Sequence, residues 1–365
     1  MTTAPTAAPA IPRAPGSRIQ AIDAARGIAV LGMITAHVGV LRSPAWHDPG
    51  TWPAVASGRS SILFATLAGL SIALLSGRQR PPSGPELVAV RLRILVRALV
   101  LFALGSVLTM LDTGIPVILQ TYALLFACCL PFLSWSPRRL LISATGWAVA
   151  APPLTVWLSH LIAPSCAADD CSGAQLTDLA VTGTYPGLVW ITFALTGLAL
   201  GRCDLGAAAT RTRMLTAGVP LMVLGYGGAW LLSRMGGSAV SDWTQLRTAE
   251  PHSGSTFEIA GSLGFAVTVI ALFLLIADRF HPLLFPLAAV GALPLTVYSA
   301  HIVAIWLLDN HVTETPGNTL LAVFLAITVA MSVLWVLAAG RGPLERGVSW
   351  LCDRATARPG RQSAA

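Results

Sequence analysis

Ten stretches of the chain are apolar over most of their length. They run over about 19–41, 60–77, 94–110, 115–134, 139–162, 185–201, 213–233, 257–277, 284–308 and 318–339. Each is near the ~20 residues that a helix needs to cross ~30 Å of hydrocarbon. The pattern predicts an all-α integral membrane protein of about ten transmembrane helices. Runs 60–77 and 185–201 are among the shorter ones and mark the spans least clearly. The segment 1–17 is rich in Ala, Pro and Thr and is expected to be disordered. No small-residue cleavage site follows the first run closely, so that run is read as an uncleaved span. The remainder divides into a single membrane domain over 18–340 and a basic tail over 341–365.

Composition sharpens this picture. Of 365 residues, 55% are hydrophobic and only 11% are charged. Too little charge is present to coat a water-facing surface, where about 25% is usual. A soluble enzyme is excluded on that ground. All 23 basic residues are Arg, and the net charge is +7. With the N-terminus in the cytoplasm and spans alternating, Arg42, Arg59, Arg234 and Arg247 fall outside and the others inside. That asymmetry is a strong positive-inside signal, and it puts both termini in the cytoplasm of a cell-membrane protein. The charge therefore reports topology, and nucleic acid is not expected as a partner. No Cys or His spacing matches a zinc site, so no metal is expected. Cys166 and Cys171 share an outer loop, where they are either a disulfide or two free thiols.

Ionisable groups inside spans are expensive and need a reason. Asp23 and Arg26 are three apart in the first run and share a helix face. A snorkelling Arg with a local acid is one reading of them. His37 lies eleven residues beyond Arg26, which returns it to nearly the same face ~16 Å further along the axis. One stripe thus presents a cation at the inner end and an imidazole toward the outer end. That suits a long donor with an anionic head and a reactive tail; a buried neutral His is the plainer alternative. His301 and Gln120 reach a similar depth on other helices. Tyr122 and Tyr298 read as interface or packing residues. His47 lies in the outer loop WHDPGTW, where aromatic anchors could fold it back over the helix ends. His160, His252, His281 and His311 receive no role. Arg93 and Arg97, four apart at the inner start of the third run, share a face and suit phosphate oxygens, although topology alone also accounts for them.

Four stretches then point to a family. RIQAIDAARGIAVLGM, SSILFATLAGLSIALLSG, GIPVILQ and LPLTVYSAHIV resemble, in order, motifs of the transmembrane acyltransferases that include heparan-alpha-glucosaminide N-acetyltransferase and its bacterial relatives. The first helix is also similar to the integral-membrane acyltransferase-three family, where an Arg and a His stand at the spacing of Arg26 and His37. GRGPLERGVSWL resembles the end of a further bacterial branch.

The resemblance implies acyl transfer across a membrane. Acyl-CoA, most simply acetyl-CoA, would enter from the cytoplasm as co-substrate, with no permanently bound cofactor. An extracytoplasmic carbohydrate or glycolipid would supply the accepting hydroxyl or amine. The first family places the key His on His47, the second on His37; spacing favours His37. Asp23, Arg26, Arg93, Arg97 and Gln120 would line the donor's path, and His301 would orient the acceptor or meet the developing oxyanion with Gln120. Arg59 stands where the first family would have an acid. Oligomeric state, a homodimer included, is left open. The rival is a transporter or flippase, which should show Gly/Pro-broken helices in two repeated halves.

Overall fold

The computed structural model describes residues 19–43, 45, 47–166, 174–235, 242–308 and 317–356. Among them there is no β-strand, and helices account for most of the described backbone. The expected tail 1–17, Trp46, Cys171 and His311 lie outside the described residues, as does the side chain of Cys166.

The helices in chain order are α1 Gln20–Val38, α2 Arg59–Leu75, α3 Gly84–Thr109, α4 Leu119–Cys128 and α5 Pro137–Cys166. They continue with the short α6 Ala174–Thr177, then α7 Gly187–Gly201, α8 Ala208–Met235 and α9 Thr256–Ile276. The last four are α10 His281–Ala292, α11 Pro294–Leu307, α12 Asn318–Ala339 and α13 Pro343–Thr356. Six segments are long and apolar enough to cross a membrane, and eight if each of two bent pairs is one span. The protein is a multi-pass membrane protein.

Three departures from the sequence pattern have local causes. The run 284–308 is two helices bent by 70°. Pro294 opens the second of them, and its ring cannot continue the ladder of the first. The run 115–134 yields only the ten residues of α4, with Gly114 and Pro116 before it and Pro131 in the 3-10 turn after it. At 1.5 Å per residue α4 is about half a bilayer long. In the other direction, α3 begins well before its apolar run. Ser83, Gly84 and Pro85 form its start and Glu86 sits in its first turn, a favourable N-terminal set. Arg93 and Arg97 therefore lie inside α3 rather than opening it.

Packing divides the helices into a core and a rim. Nearly every residue of α7 is buried, as is most of α1, α2 and α9. In α12 only Leu321 and Ser332 are buried, and its other side chains are half-buried or exposed. Close helix crossings in the core use glycine, because little else drives apolar helices together in lipid. A Cβ on Gly27 would collide with the Leu287 carbonyl, and one on Gly291 with that of Asp23, so α1 and α10 touch backbone to backbone. The helix α13 falls in the stretch read as tail, yet it docks on α3 and α11. Its Glu345 accepts from the Leu295 and Thr296 backbone N–H groups at 2.8 and 3.0 Å and from Thr296 Oγ1 at 2.5 Å. These are orphan donors of the α11 N-terminus, capped from another helix.

Candidate active site

The site begins at the N-terminal half of α1. Arg26 donates to Asp23 at 2.7 Å, to the Gly291 carbonyl at 3.1 Å and to Ser71 Oγ at 3.0 Å. The guanidinium is thereby fixed among α1, α2 and α10. It lines a cavity of about 410 Å³ together with Arg93, Arg97 and Arg341. Arg93 also pairs with Asp353 of α13 at 2.5 Å. Asp23 and Asp353 pair with two of these four cations, and guanidiniums bind phosphate oxygens in pairs. Glu345, Ser71 and Ser349 also line the cavity, and the remaining walls are apolar and aromatic, with Phe64, Tyr122 and Tyr298 among them.

Tyr298 carries the site deeper. Its hydroxyl accepts from the Ile118 N–H at 3.2 Å, while the Tyr122 hydroxyl donates to the Ser61 carbonyl at 3.1 Å. The Tyr298 ring meets that of His301 edge-on, with centroids 5.0 Å apart. His301 is 4% exposed, and its Nε2 lies 3.0 Å from Nδ1 of His37. The two imidazoles are close to parallel, 14° apart in plane. His37 in turn lines a second cavity of about 680 Å³, at the far end of α1, with Arg42 and Pro116. A polar cluster of His37, His301 and Tyr298 therefore stands between two cavities that open at opposite ends of the bundle.

The tautomer of this pair decides its chemistry. Two neutral imidazoles share one hydrogen in their bond. His301 Nδ1 has no hydrogen-bond partner, so either ring nitrogen of the 3.0 Å contact can be its donor. With His37 Nδ1 as the donor, the Nε2 lone pair of His37 is left free, as a general base requires.

The other expected residues are placed apart. His47 is exposed in the α1–α2 loop. Gln120 is buried between α3 and α4, where its amide donates to Ser106 Oγ at 3.0 Å, a helix-packing role. Sequence reading gave His252 no role; it packs edge-on to Tyr185 at 5.3 Å. Burial pushes the His252 imidazole below its ordinary range. Tyr298 was read as packing; its signal was present, three residues before His301 on one helix face.

A family model for the catalytic domain of heparan-alpha-glucosaminide N-acetyltransferase matches residues 18–232, more than half of the chain. The chain belongs to that family. Comparison with curated proteins finds no match. In this member of the heparan-alpha-glucosaminide N-acetyltransferase family, the matched segment holds His37, Arg26, Arg93 and Arg97, and stops within α8. His301, Tyr298 and Arg341 lie beyond it. The histidine pair joins the family's domain to helices outside the matched residues.

Proposed function

We propose that this membrane acetyltransferase moves an acetyl group from cytoplasmic acetyl-CoA to an amine or hydroxyl of an extracytoplasmic sugar or glycolipid. All ten apolar runs then cross or enter the cell membrane, and both termini are cytoplasmic. The observation that carries this reading is the histidine pair standing between an arginine-lined cavity and a second cavity at the opposite end.

The CoA phosphates bind Arg26, Arg93, Arg97 and Arg341. The pantetheine arm passes Phe64, Tyr122 and Tyr298, which exclude water from the thioester. The acceptor enters from the opposite cavity. His37 Nε2 takes its proton as the nucleophile attacks the thioester carbonyl. The C–S bond breaks, and the proton passes to the departing thiolate to give CoA–SH. His301 holds the His37 ring in the tautomer that leaves Nε2 free and shares the charge of the imidazolium. A base so positioned contributes about 10²–10⁴-fold in rate. Direct transfer is the simplest course, and an acetyl-His37 intermediate is its two-step form.

One observation favours the rival transport reading. Two bent helix pairs, at 60° and 70°, resemble the broken helices of transporters. One experiment separates the readings. Purified protein in detergent is heated with and without acetyl-CoA, and acetyl transfer to a soluble glucosaminide is followed. An acetyltransferase is stabilised by acetyl-CoA, and His37→Ala keeps that stabilisation while losing about 10²–10⁴-fold in kcat. Wild-type rate in His37→Ala removes His37 from the mechanism, and no stabilisation by acetyl-CoA favours transport.

A further inference from the structure

The helix α11 is a partition. Pro294, Leu295 and Tyr298 face the arginine-lined cavity. Thr296, Val297, Ala300, His301 and Ala304 face a different space, a groove of about 630 Å³ between α11 and α12. The groove exists because α12 packs on α10 and α1 and stands off α11, which the 70° bend at Leu293 has turned away. Ala300 and Ala304, four apart on α11, keep its floor low. The opposite wall is Val323, Phe324, Ile327 and Met331 of α12. From Leu320 to Trp335 it extends ~22 Å along α12, most of the hydrocarbon thickness.

His301 is out of character in this lining. It is 96% buried by its own neighbours, and its Nδ1 has no hydrogen-bond partner. Its Nε2 meets His37, which lines the cavity at the outer end of α1. The apolar groove and that polar cavity thus converge on one pair of imidazoles. Arg42, the cation lining the cavity, suits an anionic or strongly hydrogen-bonding head. The acetyl donor is not the occupant of the groove, because its phosphates require the arginines on the other face of α11.

We infer that the acceptor is a lipid-anchored sugar, whose hydrocarbon tail lies in the α11–α12 groove while its headgroup sits in the outer cavity at His37. This rests on the acetyltransferase reading and narrows its acceptor. The substrate enters sideways from the bilayer, and the groove sets its register so that the accepting group reaches His37 Nε2. For an amine, a C–N bond forms as the thioester C–S bond breaks, and the amine's proton ends on CoA–SH.

The test uses a matched pair, farnesyl glucosaminide and methyl glucosaminide, with farnesol as the headless control. Wild type, Ala304→Trp and Ile327→Trp are compared in detergent by thermal unfolding and by acetyl transfer. In wild type, farnesyl glucosaminide raises the Tm and methyl glucosaminide at the same concentration does not. Its kcat/KM exceeds that of the methyl glycoside by roughly tenfold or more, which is about 1.4 kcal/mol. Both tryptophan variants fill the groove, lose the farnesyl advantage and keep the stabilisation by acetyl-CoA that shows they are folded. Equal shifts and rates for the two glycosides overturn the inference, as does a farnesyl advantage that survives in both variants. Farnesol stabilising as well as farnesyl glucosaminide also overturns it, since the groove would then hold any bilayer chain. Failure of acetyl-CoA to stabilise wild type counts instead against the acetyltransferase reading, whatever farnesyl glucosaminide does.

Discussion

Arg202 and Arg97 look alike in the sequence, as two arginines on the inner flanks of apolar runs, and the structure puts them to opposite uses. Arg202 ends α7 and is 4% exposed. Its terminal nitrogens donate to the Ser76 carbonyl at 2.7 Å, the Arg78 carbonyl at 2.6 Å, Ser76 Oγ at 2.9 Å and the Leu133 carbonyl. It closes the C-terminus of α2 and ties it to the loop before α5, where carbonyls are otherwise orphaned. Nε is without a partner in both, but Arg97 lies against a cavity beside the Cys352 thiol and two further arginines rather than among carbonyls. A cation whose bonds are met by its own chain is a staple. A cation held among other cations with donors to spare is set for an anion that comes from elsewhere.

The largest effect expected from breaking this contrast is at Arg202. Arg202→Met keeps the bulk and removes the donors, leaving buried carbonyls of α2 and Leu133 unpaired. Each such group costs about 1–3 kcal/mol, so a loss of about 2–4 kcal/mol in stability is expected. Thermal unfolding in detergent should show it as a lower Tm, with KM for acetyl-CoA unchanged in the folded fraction. An Arg202→Met protein of normal Tm and raised KM would reverse the assignment of the two arginines.

Arg97→Gln is the converse and smaller change. Losing one charge-assisted bond to a phosphate is worth about 1.5–3 kcal/mol, which corresponds to roughly 10–150-fold in KM for acetyl-CoA. Stability should hold or rise, because a like-charged neighbour of Arg26 and Arg93 is gone. Steady-state kinetics beside a Tm measurement separates the two. A lowered Tm without a change in KM would make Arg97 a second staple.

The same contrast explains how much was legible beforehand. The apolar runs predicted the all-helical, multi-pass character, since bilayer thickness favours long apolar helices, but six to eight segments rather than ten are long enough to span. The α1 stripe was legible too, because Arg26 and His37 share one helix and helical period alone aligns them. What joins separate helices was not. His301 reaches His37 only because α11 is turned by 70° at a break inside one apolar run, and hydropathy does not register that bend. Gln120 shared the expected depth and failed for the same reason, as its helix turns it toward Ser106. Glu345 looked like part of a polar tail, although it caps α11 from a docked helix. Depth along a span is readable from sequence; azimuth between spans is not.

The smallest effect sharpens the contrast from the loop before α9. His252 belongs to neither class: its ring is buried against Tyr185 rather than bonded, and Nδ1 has no partner. Its backbone is in the left-handed region at φ 64°, and its N–H donates to Glu258 at 2.6 Å. Burial lowers the imidazole's pKa in the folded protein from an ordinary 6.5. The unfolded chain therefore binds a proton near pH 6.5 that the folded one still refuses. Stability from this source is complete above pH 6.5 and is lost as pH falls below it. His252→Asn tolerates the backbone conformation and keeps the N–H, but does not titrate. Between pH 7.5 and pH 5 its Tm in detergent should fall less than that of wild type. Parallel curves would mean that the ring is protonated in place, as a partnered base would be, and would move His252 into the class of Arg202.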